Sequence, residues 1–224
     1  MKISVIIPTM NEEESIGQVI DEVREGLKDW EHEILIVDTE STDKTREIAR
    51  SKGAKVIDEP RRGYGRAYKT GFEHVEGDII ATLDADMTYP AKKIPQMAIM
   101  IQEEGYEFIS TDRLSNISPE AMGTMHKFGN WVLKTTANIL FRIHLKDSQS
   151  GMWVFKSKAL RHLTLTSDGM PLSEEIKIEA IKKGLSFDEV PIDYRPREGE
   201  AKIRSWKDGF KNWIFLFKKR FGLV

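Results

Sequence analysis

The chain has 224 residues, enough for one large domain with a sizeable core, and its mix of 40% hydrophobic and 31% charged residues excludes a disordered tail or a membrane bundle. A formal net charge of −2 argues against a dedicated nucleic-acid binder. Cysteine is absent, which excludes disulfides, cysteine zinc sites and thiol catalysis and fits a reducing cytoplasm.

The opening MKISVIIP has only Val5-Ile6-Ile7 as its apolar run before acidic residues follow, so it reads as a buried first strand, Ile3–Pro8, rather than a signal peptide. A helix is predicted over Glu12–Leu27, with Ile16, Val19, Ile20, Val23 and Leu27 on one face. Next come a strand at Glu33–Asp38, a helix at Thr42–Ser51 capped by Ser41 or Thr42 and stopped at Gly53, and a strand at Lys55–Asp58. A glycine-rich turn opens a helix over Gly63–Val75, and a fourth strand covers Asp78–Asp84. Helices are then expected over Pro90–Glu104, Pro119–Ile143 and Pro171–Lys183, with strands at Glu107–Thr111, Gly151–Phe155 and Ser186–Tyr194. A last amphipathic segment runs over Ser205–Phe221. Apolar strands alternating with helices predict an α/β domain over residues 1–204, a mostly parallel sheet with helices on both faces, followed by the tail helix 205–224. No stretch approaches the ~18 apolar residues that span a bilayer.

In an open parallel sheet, ligands lie beyond the carboxyl ends of the strands. Four strand ends here are polar: Pro8 to Glu13, Asp38 to Asp43, Asp58 to Arg66, and Asp84-Ala85-Asp86. On an extended chain Asp84 and Asp86 would face one side, and two such carboxylates repel unless a cation or a proton lies between them. Hard oxygen ligands suit Mg²⁺ or Mn²⁺. Gly63 and Gly65 would let the backbone approach a phosphate, with Arg61, Arg62 and Arg66 nearby as contacts or as a solvated face.

The segments IPTMNEEESI, VDTESTDKT, RRGYGRAYKTGF, LDADMTYP, DSQSGMWVF and YRPREGEAKI occur in this order along the chain. Together they resemble a family-2 glycosyltransferase of the GT-A fold, close to the dolichyl- and polyprenyl-phosphate sugar synthases. That resemblance implies an inverting transfer of a sugar from a GDP- or UDP-sugar to a dolichyl or polyprenyl phosphate. Pro8, Asn11, Glu12 and Asp38 would line the nucleotide, Asp84 would contact the ribose or sugar, and Asp86 would ligate the metal. Asp147, Ser150 and Gly151 would sit beside the transferred sugar and acceptor, and Arg197 and Lys202 would belong to a loop over the diphosphate. Asp38-Thr39-Glu40-Ser41 stands where the family usually has D-D-G-S, and Met10 where an aromatic residue is common. Thr88 stands where many members carry Gln, and Ala201 where Ser is common. Thr88 therefore leaves a second metal ligand open.

The acceptor is read from charge and grease. A phosphate monoester is already anionic, whereas a hydroxyl needs a general base, for which Asp147, Glu174 or Glu175 are candidates. Met122–Ile143 mixes apolar residues with Lys134 and Arg142 and is either an acceptor region or a helix covering the sheet. On the tail, Trp206, Phe210, Trp213, Ile214, Phe217 and Phe221 form one helical stripe with Lys207, Lys211 and Lys218 beside it. That pattern fits a helix lying at the cytoplasmic face of a membrane, a core-packed terminal helix, or the contact of a homo-oligomer. Two other functional readings stand beside the lipid one. One is transfer to a saccharide or protein hydroxyl. The other is a sugar-nucleotide-binding protein without catalysis, suggested by Thr39 and Glu40.

Overall fold

The computed structural model describes residues 1–117, 122–197 and 205–224. Along the chain run β1 (Ile3–Thr9), α1 (Ile16–Gly26), β2 (His32–Asp38), α2 (Thr45–Ser51), β3 (Lys55–Asp58), α3 (Tyr64–Phe72) and β4 (Ile79–Thr82). They are followed by α4 (Ile94–Glu103), β5 (Phe108–Asp112), α5 (Thr124–Phe141), β6 (Trp153–Lys156), α6 (Leu172–Lys182), β7 (Phe187–Pro191) and α7 (Ser205–Arg220). The strands form one seven-stranded sheet in the order β3-β2-β1-β4-β6-β5-β7. Every pairing is parallel except those of β6, which runs antiparallel to both β4 and β5.

Both faces of the sheet are covered, as its unbroken apolar strands require. Ile3, Val5 and Ile7 pack with Ile34, Ile36, Ile79 and Ala81 beneath α1 and α4. Ile6, Leu35, Val37, Ile80, Trp153 and Phe155 pack beneath α3 and α6. Helix α1 buries Ile16, Val19, Ile20 and Val23, each contributing ~1.5–3 kcal/mol of transfer free energy. A third cluster joins α5, α6 and α7 through Leu133, Ala137, Ile178 and Leu216. The tail helix thus packs on the domain that precedes it.

Several boundaries differ from the sequence reading for local reasons. Helix α1 starts at Ile16 rather than Glu12, because Asn11 takes a left-handed φ of 54° and Glu12 opens a turn. Helix α2 starts at Thr45, and the carboxylate that caps its first amide is that of Asp43 (3.0 Å), not a hydroxyl of Ser41 or Thr42. Strand β4 ends at Thr82, so the chain has left the sheet before the aspartates. Their spacing therefore comes from bends, with Met87 at φ 64°, not from strand alternation.

Candidate active site

The sheet changes direction of growth between β1 and β4, and the crevice beyond these strand ends is where an open α/β sheet places its ligand. The loops after β1 and β2 lace together there. The Asn11 side-chain oxygen accepts the Thr42 amide (2.7 Å), the Asn11 amide donates to Ser41 Oγ (2.8 Å), and the Glu12 amide donates to Thr45 Oγ1 (2.7 Å). Asp38 is buried, and its carboxylate accepts from Thr9 Oγ1 (3.0 Å), Ser41 N (3.1 Å) and the Ser41 hydroxyl and pairs with Arg46 Nε (3.0 Å). Its carboxylate is thus fully engaged inside the fold. Pro8 is half-buried near the end of β1.

The arginine and glycine turn packs on the chain's own residues. Glu59 is buried and grips Arg61 Nε (2.8 Å) and Arg66 Nε (3.2 Å); Arg61 above all holds its carboxyl well below the usual range. Arg62 pairs with Glu40 (2.9 Å). A Cβ on Gly63 would meet the Asp168 carbonyl oxygen at 2.2 Å, and one on Gly65 the Ser167 carbonyl oxygen at 2.6 Å. The close backbone approach these glycines permit is therefore to the chain's own 167–169 loop, and Arg66 N donates to Asp168 O (3.0 Å).

Asp84 and Asp86 form the floor. Asp86 is 2% exposed; its Oδ1 accepts from Thr88 Oγ1 (2.6 Å) and Thr88 N (3.1 Å). Thr88 thereby fixes the carboxylate's orientation. Asp86 Oδ2 is buried, accepts no hydrogen bond among the described residues, and forms an ion pair with Arg197 Nη2 at 2.6 Å. Burial, then the negative charge of Asp86, pushes the Asp84 carboxyl up. Tyr64 Oη lies 3.4 Å and Tyr68 Oη 3.5 Å from Asp84 Oδ1. Gly151 borders this floor: a Cβ there would lie 2.2 Å from Tyr64 Oη and 3.5 Å from Asp84 Oδ1, and its amide donates to Tyr89 Oη (2.7 Å).

Behind the floor, Asp147 is 0% exposed and clamped by Arg113, with Nε at 2.7 Å, Nη2 at 2.9 Å and the Arg113 amide at 3.1 Å. Burial alone would raise the Asp147 carboxyl, but the guanidinium outweighs it and holds the pKa at about 2. Asp147, expected beside the transferred sugar and acceptor, has its side chain committed to Arg113, whose guanidinium also lies over the Tyr194 ring. Ser150 is likewise buried, bonded through Oγ to Thr111 Oγ1 (2.6 Å). Its carbonyl and that of Asp147 accept from Lys177 Nζ at 3.0 and 2.8 Å, and burial pushes Lys177 down to about 8. Glu174 is fully buried, which pushes its carboxyl well up; Oε2 accepts from Gln149 Nε2 (2.7 Å). Glu175 accepts from the amides of Thr166 and Ser167 and pairs with Lys219 (2.9 Å).

Arg142, expected in the acceptor region, ends α5 beside Lys182 and Arg220, at the far end of α6 from Glu174. Lys134 is half-buried midway along α5. Lys202 and Ala201 lie outside the described residues, as do the side chains of Trp206 and Lys207. Arg113, Glu59, Tyr64, Tyr89 and Lys177 were missed by sequence reasoning. Arg113 had a signal, since β5 also ends in a polar run, Ser110-Thr111-Asp112-Arg113; the tyrosines and Lys177 sat inside helical or loop patterns that read as packing.

The residues fit a divalent ion. Asp86 offers a buried carboxylate oxygen already facing a cation, with a second carboxylate beside it, and all donors are hard oxygens. Among the described residues no group of three or more His, Cys, Asp or Glu could hold a metal alone, so such an ion would need ligand oxygens to complete its shell.

The family model Glycosyl transferase family 2 matches residues 4–164. A dolichyl-phosphate hexose transferase of Haloferax volcanii is 32% identical over 207 residues, 92% of this chain and 89% of that protein. The low-salt glycan biosynthesis hexosyltransferase Agl6 of the same organism is 38% identical over 218 residues, and the aligned region spans 96% of this chain but only 52% of that relative. In three dimensions, glucosyl-3-phosphoglycerate synthase from Mycobacterium tuberculosis, crystallised with Mn²⁺, UDP and phosphoglyceric acid, superposes with a TM-score of 0.79 at 20% identity, covering 98% of this chain and 78% of that one. That likeness carries the GT-A fold alone. Sequence match, fold and strand-end site agree: the chain belongs to glycosyl transferase family 2 and is a glycosyltransferase.

Proposed function

We propose that the protein transfers a hexose, with inversion, from a GDP- or UDP-sugar to a dolichyl or other polyprenyl phosphate at a membrane surface. The observation that carries the acceptor class is the state of three carboxylates. Asp147 is locked to Arg113, Glu174 is buried and bonded to Gln149 with its carboxyl pushed well up by burial, and Glu175 is bonded to the Thr166 and Ser167 amides and to Lys219. Each candidate general base for a hydroxyl acceptor is thus engaged within the fold. A phosphate monoester needs none, because it attacks as an anion. The relatives named as dolichyl-phosphate hexose transferase and, in Pyrococcus furiosus, dolichol-phosphate mannosyltransferase support the same acceptor.

The residues divide the work. Asp86, with Asp84 beside it, would hold Mg²⁺ or Mn²⁺, which supplies charge neutralisation for a leaving nucleoside diphosphate. Thr88 fixes the Asp86 carboxylate, and Arg197 brings a guanidinium to the same side of the floor, where it favours developing negative charge. The Asn11–Thr42 lacing shapes the nucleotide wall, and Gly151 with Tyr64 bounds the sugar side next to Asp84.

The membrane part of the reading rests on two helices. On α5, Met125, Phe128 and Trp131 are exposed, and Phe128 stacks on Trp131 at 6.0 Å. On α7, Phe210 and Trp213 are exposed and stack at 6.2 Å, with exposed Lys211 and Lys218 nearby. Phe215 and Leu216, off the aromatic stripe, are the residues that pack inward. An outward aromatic stripe flanked by lysines suits an anionic bilayer interface. No helix among the described residues is long and apolar enough to cross a membrane.

The test is a panel of radiolabelled GDP- and UDP-hexoses with Mg²⁺ or Mn²⁺ and polyprenyl phosphate in phospholipid vesicles, followed by solvent extraction. Label in the lipid phase, lost in Asp86→Ala, is expected. Label entering an added oligosaccharide while the lipid stays unlabelled overturns the acceptor assignment.

A further inference from the structure

The inner side of α7 is anchored at two levels. Its C-terminal half is held by Phe215, Leu216 and Lys219, the last paired with Glu175 (2.9 Å) and Glu179 (3.0 Å). Its N-terminal half carries the outward Phe210–Trp213 stack, and of residues 208–213 only Asn212 is buried, at 4% exposed. A lone polar anchor at that level needs a partner, since a buried amide without one costs ~1–3 kcal/mol. Asn212 finds it in the site's own loop: Nδ2 donates to Gln149 Oε1 at 2.7 Å. Gln149 in turn donates through Nε2 to Glu174 (2.7 Å) and through its backbone amide to Asp147 Oδ1 (3.0 Å). Two residues further along stands Gly151, against Tyr64 and Asp84.

We propose that Asn212 is a positioning residue: through Gln149 it registers the aromatic half of α7 with the Asp147–Gly151 loop, and so sets the height and tilt of the site over a bilayer that α7 engages. The inference rests on the membrane reading above and deepens it. Geometry gives it content, because the Asn212–Gln149 amide–amide hydrogen bond is a buried polar link between the outward aromatic pair and the loop that borders Asp84. A water-soluble acceptor diffuses to the site whatever the angle of α7. An acceptor phosphate tethered in a bilayer is presented at a fixed height, so its transfer depends on that angle.

The experiment uses the full chain with Asn212→Leu and Asn212→Ala, which remove the bond from the tail side and leave Gln149 with Glu174. Three quantities are measured: co-sedimentation with anionic phospholipid vesicles, kcat/KM for long-chain polyprenyl phosphate in those vesicles, and kcat/KM for a short-chain, water-soluble prenyl phosphate. Both variants should bind vesicles like wild type, lose about tenfold with the embedded acceptor, and stay within about twofold with the soluble one. Equal losses on both acceptors, or no loss on either, would overturn the proposal, since a purely structural role cannot separate them. A wild-type protein that transfers to neither acceptor defeats the lipid-phosphate reading instead, and the two failures are told apart by the wild-type control.

Discussion

Replacing Asp147 by Asn tests whether this carboxylate is a clamp or a catalyst. The carboxylate takes two guanidinium bonds and one amide from Arg113 and a further amide from Gln149 (3.0 Å). Asn keeps one acceptor oxygen and turns an NH₂ toward donors, leaving the Arg113 charge uncompensated at 9% side-chain exposure. Removing one partner of a buried pair costs about 3–5 kcal/mol. The titration gives an independent lower figure: a carboxyl held at about 2 against an ordinary 3.8 is ~2.4 kcal/mol, and the protonated acid still accepts bonds that Asn loses. Because the folded pKa lies below the unfolded one, that contribution is present above about pH 4 and drains away as pH falls towards 2. Urea unfolding at pH 7 should show the variant ~3 kcal/mol less stable with an unchanged slope, and its acid sensitivity between pH 4 and 2 reduced. Adding Arg113→Met to Asp147→Asn should recover part of the loss. A stability change below about 1 kcal/mol with kcat abolished would refute the clamp and return Asp147 to the chemistry.

Other residues give sharper local expectations. Gly151→Ala puts a methyl 2.2 Å from Tyr64 Oη; thermal unfolding should show a loss of ~1–3 kcal/mol, and donor turnover should fall with it. Thr88→Val deletes the 2.6 Å bond to Asp86 Oδ1 and should weaken Mn²⁺ binding measured by calorimetry in the presence of nucleotide, while circular dichroism stays unchanged. Glu174→Gln keeps a neutral acceptor for Gln149 and should be tolerated at pH 7, whereas Glu174→Ala should not. The raised Glu174 pKa means the folded state holds a proton the unfolded chain gives up, so wild-type stability falls as pH rises above the ordinary carboxyl value, and Glu174→Gln should flatten that fall in a pH series of denaturant midpoints.

The sheet was legible because its strands are continuous apolar runs, and the floor was legible because Asp84 and Asp86 follow one of them directly. The sequence misled where a residue type has two uses. Gly63 and Gly65 read as phosphate-facing because close backbone approach and phosphate contact call for the same residue; only the fold shows the 167–169 loop occupying that space. Arg61 and Arg66 read as phosphate contacts or a solvated face because nothing local announces that Glu59 is buried beneath them. Asp147 and Arg113 stand 34 residues apart, and no periodicity connects positions at that separation. Thr88 was unreadable for the opposite reason: its bond is to a carboxylate two residues away and depends on a bend that strand alternation does not anticipate.

The single reversed strand has a consequence for how such a site can diversify. Since β6 runs against its neighbours, the residues that enter it lie on the same edge as the residues that leave β4 and β5. The chain between Arg113 and Asp147, α5 included, is therefore an excursion that departs from and returns to one edge, buttoned at its base by the ion pair. Above that base it is held to α6 and α7 through Leu133, Ala137 and their neighbours in the third cluster. Because it leaves and re-enters on that edge, exchanging it at those two residues leaves the strand order and the Asp84–Asp86 bend untouched.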